Sequence, residues 1–247
     1  MLWKRQMRKF FRGHMEMVAA LLFPLTIMLF FGVMMRRFLA GTDLLGGADY
    51  LGYITPGIVA LTGVTASMLA GTSVLNDRMR GVMQEYLVAP IPRASITAAV
   101  MASGVTRAVI QAVVLVAVAL LLGATIESFG GLLVGAAAYI LFCAGFTGFA
   151  VAGAARAGSM EAYHGIMLLL NVPLLFLSNA LYPMDAMPTL LRVVAWLNPA
   201  TYAVSAMRHA FPPASPWHPF IDGAVLAAFA LVGLWTGVRA LREVTEL

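Results

Sequence analysis

The residues that most often do chemistry in proteins are few and scattered in this sequence. Four histidines occur, at positions 14, 164, 209 and 218, and Glu161 lies three residues before His164. That spacing suits two ligands on one helix face, but no further ligand accompanies the pair, and a metal site needs at least three. No G-x-S-x-G nucleophile motif occurs. The sequence therefore predicts neither a catalytic constellation nor a metal site, and we interpret Glu161 and His164 as a polar pair at a helix end.

The sequence also lacks the common motif for binding ATP. Its only lysines are Lys4 and Lys9, so it contains no phosphate-binding loop of the G-x-x-x-x-G-K-[ST] type. Nearly all of the eleven acidic residues fall outside the apolar segments, with Glu161 and Asp222 at their edges. Proton coupling would require titratable groups within those segments. If ATP drives this protein, a different chain must bind it.

The composition is that of an integral membrane protein. Hydrophobic residues make up 61% of the 247 residues and charged residues 11%, whereas soluble domains average about a quarter charged. Only helices and closed barrels satisfy the backbone inside a bilayer, and long apolar runs predict helices. The net charge of +5 comes from basic residues in the gaps between apolar runs, which indicates membrane topology rather than nucleic-acid binding. The single Cys143 excludes an internal disulfide.

Six segments have about the 20 apolar residues that a transmembrane helix needs. We expect spans at about 17–35, 55–75, 95–122, 131–153, 163–181 and 219–238, forming one transmembrane domain over 1–247. The first exceeds the length of a signal-peptide core, so we expect a retained span. Asn171, Pro173 and Asn179 predict a kink in the fifth span.

The distribution of Lys and Arg predicts that both termini face the cytoplasm. Four basic residues would then lie outside, namely Arg36, Arg37, Arg192 and Arg208. Eleven would lie inside: Lys4, Arg5, Arg8, Lys9, Arg12, Arg78, Arg80, Arg93, Arg156, Arg239 and Arg242.

Arg107 falls within the third span, where a charge needs a reason. We favour the interpretation that it snorkels to the inner headgroups; the alternative is that it lines the translocation path or pairs across a dimer. Asn171 and Asn179 are further candidates for that path. The glycine-rich run 144–159 indicates close helix packing, either within the chain or between subunits.

A charged segment between the second and third spans predicts an amphipathic helix over about 77–89. Asp77 is a reasonable N-cap, and Pro90 would end the helix. The segment could seat a loop at the interface or dock a soluble partner, and its mixed charge suits a protein surface better than a lipid surface. Its apolar stripe consists of Met79, Val82, Met83, Tyr86 and Leu87.

Two short apolar segments, 189–197 and 201–211, follow the fifth span. They have 9 and 11 residues between prolines, too few to cross a bilayer. We expect them to dip into the outer leaflet.

Two blocks of this sequence resemble the hallmarks of ABC-2-type permeases, the membrane subunits of a class of ATP-binding-cassette exporters. The first is "ITPGIVALTGVTASMLAGTSVLNDRMRGVMQEYLVAPIPR", with Pro56-Gly57 followed by Asp77, Arg78, Gly81, Gln84, Glu85, Leu87 and Pro90. The second is "LSNALYPMDAMPTLLRVVAWLNPATYAVSAMR", with Pro183, Pro188, Asn198, Pro199, Tyr202 and Arg208. Together with the six predicted spans, the resemblance covers nearly the whole chain.

The resemblance implies an all-α membrane protein of six spans with an N-terminal interfacial helix around residues 4–12 and re-entrant helices within 189–211. Segment 77–89, including Arg80 and Tyr86, would be the coupling helix, inserted in a cleft of an ATPase. Two ATPase copies, carrying ATP and Mg²⁺, would pair with this chain and a second permease subunit, like or unlike. The chain itself would bind no cofactor and catalyse no reaction, in a bacterial inner membrane.

The cargo is open at this stage. Mostly apolar outer loops and walls fit a hydrophobic or amphipathic cargo such as a drug, a lipid or a lipid-linked glycan. A self-sufficient secondary transporter or channel would need buried acids or an inverted repeat, and an intramembrane enzyme would need Ser, His and Asp side chains that converge within the spans. The sequence indicates neither.

Overall fold

The computed structural model describes residues 2–35, 49–82, 93–181, 184, 187–212, 215 and 217–245, and these ranges contain helices but no strand. The second helix continues into a π-helical segment, Met28–Val33. The α-helices are α1 (Leu2–Arg12), α2 (His14–Ile27), α3 (Tyr50–Met79), α4 (Arg93–Leu121), α5 (Phe129–Arg156), α6 (Met160–Phe176), α7 (Thr189–Leu197), α8 (Pro199–Met207) and α9 (Pro219–Thr245).

Among the described residues, four helices are long and apolar enough to cross a membrane: Tyr50–Met79 (α3), Ala98–Leu121 (in α4), Phe129–Arg156 (α5) and Pro219–Glu243 (in α9). They coincide with the predicted second, third, fourth and sixth spans. The prediction of an all-helical, multi-pass membrane protein is confirmed.

The predicted first and fifth spans correspond to shorter helices. The first corresponds to α2 and its π-helical extension, with 14 and 6 residues. The fifth corresponds to α6, which has 17 residues, about 26 Å by helical rise. The helix is continuous through Pro173, so that no break in α6 coincides with the proline.

Contacts along α3 establish the direction of α6. The imidazole Nε2 of His164 lies 3.2 Å from the hydroxyl of Thr72, near one end of α3. Thr65 is seven residues earlier on α3, and its hydroxyl lies 3.5 Å from the amide nitrogen of Asn171, seven residues after His164. The Tyr53 hydroxyl, at the start of α3, lies 3.5 Å from the carbonyl of residue 179. The segment from α6 to residue 179 therefore runs antiparallel to α3 from one end to the other.

Helix α3 is the centre of the bundle. Every residue from 51 to 64 is buried, and the helix packs against α4, α5 and α6. Neighbouring elements approach the glycines of α3 closely. A Cβ atom on Gly57 would contact Ala180, and one on Gly63 would contact Tyr139. Small residues let helices approach closely in a membrane, so these positions set the packing distance of the core.

The glycine-rich run packs within the chain. A Cβ atom on Gly148 would overlap the carbonyl of Gly233 in α9, and one on Gly145 would overlap the ring of Phe229. A Cβ on Gly158 would meet nothing within 4 Å. Of the two interpretations of this run, the structure supports intramolecular packing, between α5 and α9.

Helix α1 and the C-terminus of α9 lie at one end of the bundle. Arg5 of α1 pairs with Asp77 at the end of α3, with 3.8 Å between nitrogen and oxygen. Arg156 at the end of α5 pairs with Glu243 near the end of α9 at 2.7 Å. We call the end formed by α1 and the C-termini of α3, α5 and α9 the basic end. The opposite end comprises the start of α3, the 122–128 loop, and α7 and α8.

Candidate functional site

The chain leaves helix α3 at the basic end through a glycine. Helix α3 continues past Asp77 to Met79 and is capped at Arg80. Gly81 has φ +75°, a left-handed conformation that ends helices and favours glycine. Its N–H bonds to the carbonyl of Arg78 at 3.1 Å. Residue 82 is helical again.

The predicted start of the amphipathic helix is therefore wrong. Asp77 is not an N-cap, because it lies in the last turn of α3. The apolar periodicity of the second span continues through Val74 and Leu75, both buried, and the backbone leaves the α-helical region only at Gly81. A helix in the following segment begins no earlier than residue 82.

Arg78 points into the bundle. Its Nη1 donates to the carbonyl of Ala155 at 2.5 Å, to that of Ala157 at 3.3 Å and to that of Ala154 at 3.4 Å. These carbonyls lie at the C-terminus of α5, where helical hydrogen bonding leaves them without partners and the helix dipole is negative. Arg78 thereby fastens the end of α3 to the end of α5.

Helix α1 lies on the same end and has an apolar face. Gln6, Met7 and Phe10 are buried, whereas Lys4, Arg5, Arg8 and Arg12 are exposed. The indole of Trp3 donates to the Thr106 hydroxyl at 3.2 Å. The predicted N-terminal amphipathic helix is present, and it packs along α4.

Arg107 is held by α1. The side chain is 8% exposed, and its Nη2 donates to both the backbone and the side-chain oxygen of Gln6 at 3.2 Å. The Gln6 Oε1 also accepts from the Ser73 hydroxyl at 3.1 Å, and the guanidinium lies 5.4 Å from the Phe10 ring centre. Arg107 is therefore buried beneath a helix of its own chain at the basic end, and the choice between snorkelling and lining a path stays a prediction.

The described residues of the first motif thus form two groups, one in contact with other helices and one exposed. Asp77 and Arg78 bind other helices, whereas Arg80 and Gly81 are exposed and the Met79 side chain is 58% exposed. The remaining predicted residues lie outside the described part of the chain: Gln84, Glu85, Tyr86, Leu87 and Pro90.

The candidate path residues do not form one site. Asn171 and Ser178 line a space between α3 and α6 of about 10 Å³, room for about one water molecule. The Oδ1 atoms of Asn171 and Asn179 are buried and have no hydrogen-bond partner in the part of the chain that the structure describes. Arg107 lies toward the basic end, away from both, so the three residues mark different levels of the bundle.

Residues of the second motif connect α6, α7 and α8 at the opposite end of the bundle, and we call this connection the joint. The Asn198 Oδ1 accepts from the N–H of Ala200 at 2.9 Å, capping α8. Its Nδ2 donates to the carbonyls of Leu174 and Leu177, both at 2.9 Å, at the end of α6. Pro199 is the first residue of α8, where proline is favoured because that N–H has no helical partner.

Tyr202 and Arg208 complete the joint. The Tyr202 hydroxyl donates to the carbonyl of Trp196 in α7 at 2.8 Å. Arg208 donates to the carbonyl of Asn179, and its guanidinium lies 3.8 Å from the Tyr53 ring centre. Burial lowers the pKa of Arg208, and Tyr53 offsets part of that shift; arginine nevertheless stays charged.

The two short helices occur where the sequence predicted them. Helix α7 has the predicted bounds 189–197 and follows Pro188. Helix α8 occupies 199–207 rather than 201–211, because the Asn198 cap starts it two residues earlier. Pro183 lies outside the described residues.

Sequence reasoning missed a polar cluster beside this joint. The Ser205 hydroxyl lies 2.8 Å from the Asp222 carboxylate and 2.7 Å from the Ser215 hydroxyl. The His209 Nε2 is 4.0 Å from the same carboxylate. Only Asp222 of this cluster belongs to a span, at its start, so the cluster does not contradict the expectation that no Ser, His and Asp converge within the spans. The i, i+4 spacing of Ser205 and His209 was the available signal for the cluster.

This cluster does not have the geometry of a hydrolase. Ser205 bonds to the aspartate rather than to the histidine, so no imidazole is placed to take its proton. Asp222 is fully buried. Burial lowers the pKa of His209, and the nearby His218 lowers it further. Among the described residues, no group of three His, Cys, Asp or Glu side chains could hold a metal ion.

Comparisons with known proteins point to transport. The profile of a family described as "ABC-2 type transporter" matches residues 1–211. A putative transport permease, ycf38, of Cyanophora paradoxa is 28% identical over 83% of this chain and 70% of the relative. A daunorubicin resistance ABC transporter permease protein, DrrB1, of Streptomyces coeruleorubidus is 29% identical over 84% and 72%. Nodulation protein J of Rhizobium leguminosarum bv. trifolii is 26% identical over 89% and 79%.

Proposed function

The chain belongs to the ABC-2 type transporter family, and from that premise we propose that it is the permease subunit of an exporter driven by a separate ATPase. As a family member it is a multi-pass membrane transport permease. Such a subunit has no catalytic role of its own, so ATP and Mg²⁺ would bind to the partner. The absence of a phosphate-binding loop from the sequence supports that division of labour.

The arrangement of the basic end carries this proposal. A mobile ATPase can move a membrane subunit only through a part that protrudes and is firmly joined to the spans. Met79, Arg80 and Gly81 are exposed, and the sequence that continues from them carries Glu85. Directly behind them, Arg78 holds α5. A displacement of the 82–90 segment would therefore be transmitted to α3 and α5 together.

We propose six spans, with α1 and the C-terminus of α9 on the cytoplasmic side. Four helices meet the length and composition of a span. The antiparallel contacts between α3 and the segment from α6 to Asn179 support a crossing by α6 as well. Helix α2 would make the sixth, since it leads from α1 toward Leu51, which Gly32 approaches closely. The excess of basic residues at the basic end supports its cytoplasmic location.

The transport path would lie between this chain and a second permease subunit, like or unlike, with two ATPase copies beneath. Asn171 and Asn179 would face the path when the bundle changes shape, and α7 and α8 would dip into the outer leaflet. A relative named for daunorubicin resistance supports a hydrophobic or amphipathic cargo, such as a drug, a lipid or a lipid-linked glycan. We place the complex in a bacterial inner membrane.

Cysteine labelling tests this orientation. Cys143 is the only cysteine and is buried, so a Cys143→Ala background is silent. We expect Glu127→Cys, at an exposed position of the 122–128 loop, to react with a membrane-impermeant maleimide in intact cells. Arg80→Cys should react only after the membrane is permeabilised. The reverse pattern would place the basic end outside, where no ATP-driven partner could reach it, and would exclude the proposal.

A further inference from the structure

A long apolar groove runs along the half of the bundle remote from α1. It lies between α4 and α5, with α3 behind it and the segment after α8 at one end, and has a volume of about 480 Å³. This volume is within the range of roughly 300–1,000 Å³ for small-molecule sites in proteins. Pro56 of the first motif and Met207 of the second block contribute to its lining, but the groove is separate from the basic end.

The walls of the groove are apolar and its rims face outward. Val113 and Leu120 of α4 and Leu133 and Ile140 of α5 line it and are exposed. Its floor includes Tyr139, whose hydroxyl already donates to the carbonyl of Ala108 at 3.2 Å. An occupant of the groove would therefore make apolar contacts but would find no free hydrogen-bond donor along the floor. This disfavours polar ligands.

The dimensions of the groove match one leaflet. Its lining on α4 extends from Val109 to Leu120, about 16 Å by helical rise. A bilayer core of about 30 Å has leaflets of about half that thickness. The groove also runs along the helix axes, parallel to lipid chains, because its α4 members recur at three- and four-residue spacing. An acyl chain of one leaflet would fill it from end to end.

We propose that this groove is a binding site for one acyl chain of a membrane phospholipid, retained between α4 and α5 in the leaflet at the opposite end from α1. In a membrane, selective retention comes from packing rather than from the hydrophobic effect, because lipid tails are as apolar as the protein. A concave wall gives a chain more contacts than a convex helix surface does. Small residues, including Ala117 and Ala136, provide the concavity.

Two neighbouring alanines of α5 offer a matched test. Ala136 lines the groove, whereas Ala137 is equally classed as exposed but does not line it. The full chain is purified in octyl glucoside with dioleoyl phosphatidylethanolamine added, and retained lipid is counted by native mass spectrometry. We expect Ala136→Trp to bind this lipid at least about fivefold more weakly than wild type, because the indole takes over the packing contacts of the chain. Ala137→Trp should bind it like wild type.

A second variant guards against misfolding. If Ala136→Trp does not elute as a folded species, Ala117→Leu on the facing wall replaces it, with Val114→Leu outside the groove as its control. Equal lipid retention in groove and control variants would overturn the proposal. If a groove variant dissociates the subunits while its lipid content is unchanged, the groove is an interface between copies instead. If a groove variant loses bound cargo but keeps its lipid, the groove is a cargo site. Either result also overturns the proposal.

Discussion

Substituting Arg78 by alanine is expected to abolish transport and to destabilise the protein. The change removes three charge-assisted hydrogen bonds to the carbonyls of Ala154, Ala155 and Ala157. Hydrogen bonds from a charged group contribute about 1.5–3 kcal/mol, and the α5 terminus loses its compensating positive charge. Because Arg78 is half-buried rather than fully buried, we expect a loss near the low end of that range in unfolding free energy, measured by thermal unfolding in detergent. Transport should fall further, since α5 no longer follows α3.

Arg80→Ala is the matched control for this prediction. Arg80 lies two residues away and carries the same charge, but its side chain is exposed. Its removal should leave the unfolding free energy within about 0.5 kcal/mol of wild type. Equal losses of stability in Arg78→Ala and Arg80→Ala would show that the contacts with α5 do not hold the basic end together. Arg78→Lys should restore only part of the lost stability: all three contacts come from the single Nη1 atom, and the lysine ammonium, although it also has three donors, lies one bond closer to the backbone.

Asn198→Ala is expected to have the second large effect, at the opposite end of the bundle. The substitution removes the cap of α8 and frees the carbonyls of Leu174 and Leu177. Loss of an N-cap costs about 1 kcal/mol, and a buried unpaired polar group costs about 1–3 kcal/mol. We therefore expect the free energy of unfolding to fall by about 2–4 kcal/mol, with transport lost because α7 and α8 are no longer held against α6.

Asn198→Ser separates the two roles of this residue. Serine caps helices about as well as asparagine, but it is too short to reach the carbonyls of α6. Its unfolding free energy should lie between those of wild type and Asn198→Ala, about 1 kcal/mol above the alanine variant. A serine variant as stable as wild type would show that the contacts with Leu174 and Leu177 contribute nothing measurable.

The sequence predicted the long helices well because a bilayer imposes strict requirements on length and polarity. The four spans that meet those requirements were all expected, and α7 was predicted to the residue. The start of the amphipathic helix was predicted wrongly, because aspartate is a typical N-cap residue but α3 continues through Asp77. Only the left-handed φ of Gly81 shows where that helix ends, and a glycine in sequence does not reveal its φ.

Contacts between residues that are far apart in the sequence could not be predicted from the sequence. Arg107 and Gln6 are 101 positions apart, and Ser205 and Asp222 belong to different helices. Periodicity identifies the face of a helix on which a residue lies, but not the element that covers that face. For the same reason, the inward orientation of Arg78 and the joint around Asn198 could be found only in the folded chain.

The most direct measurement of the central claim is site-specific photo-cross-linking in native membranes. A benzoylphenylalanine replaces Met79, which is 58% exposed at the basic end, or Glu127 in the 122–128 loop as the control. We predict that the Met79 position forms an adduct with a protein that contains a phosphate-binding loop and hydrolyses ATP, and that the Glu127 position does not. An ATPase adduct from Glu127 alone, or none from Met79 while ATP-dependent transport continues, would contradict the account.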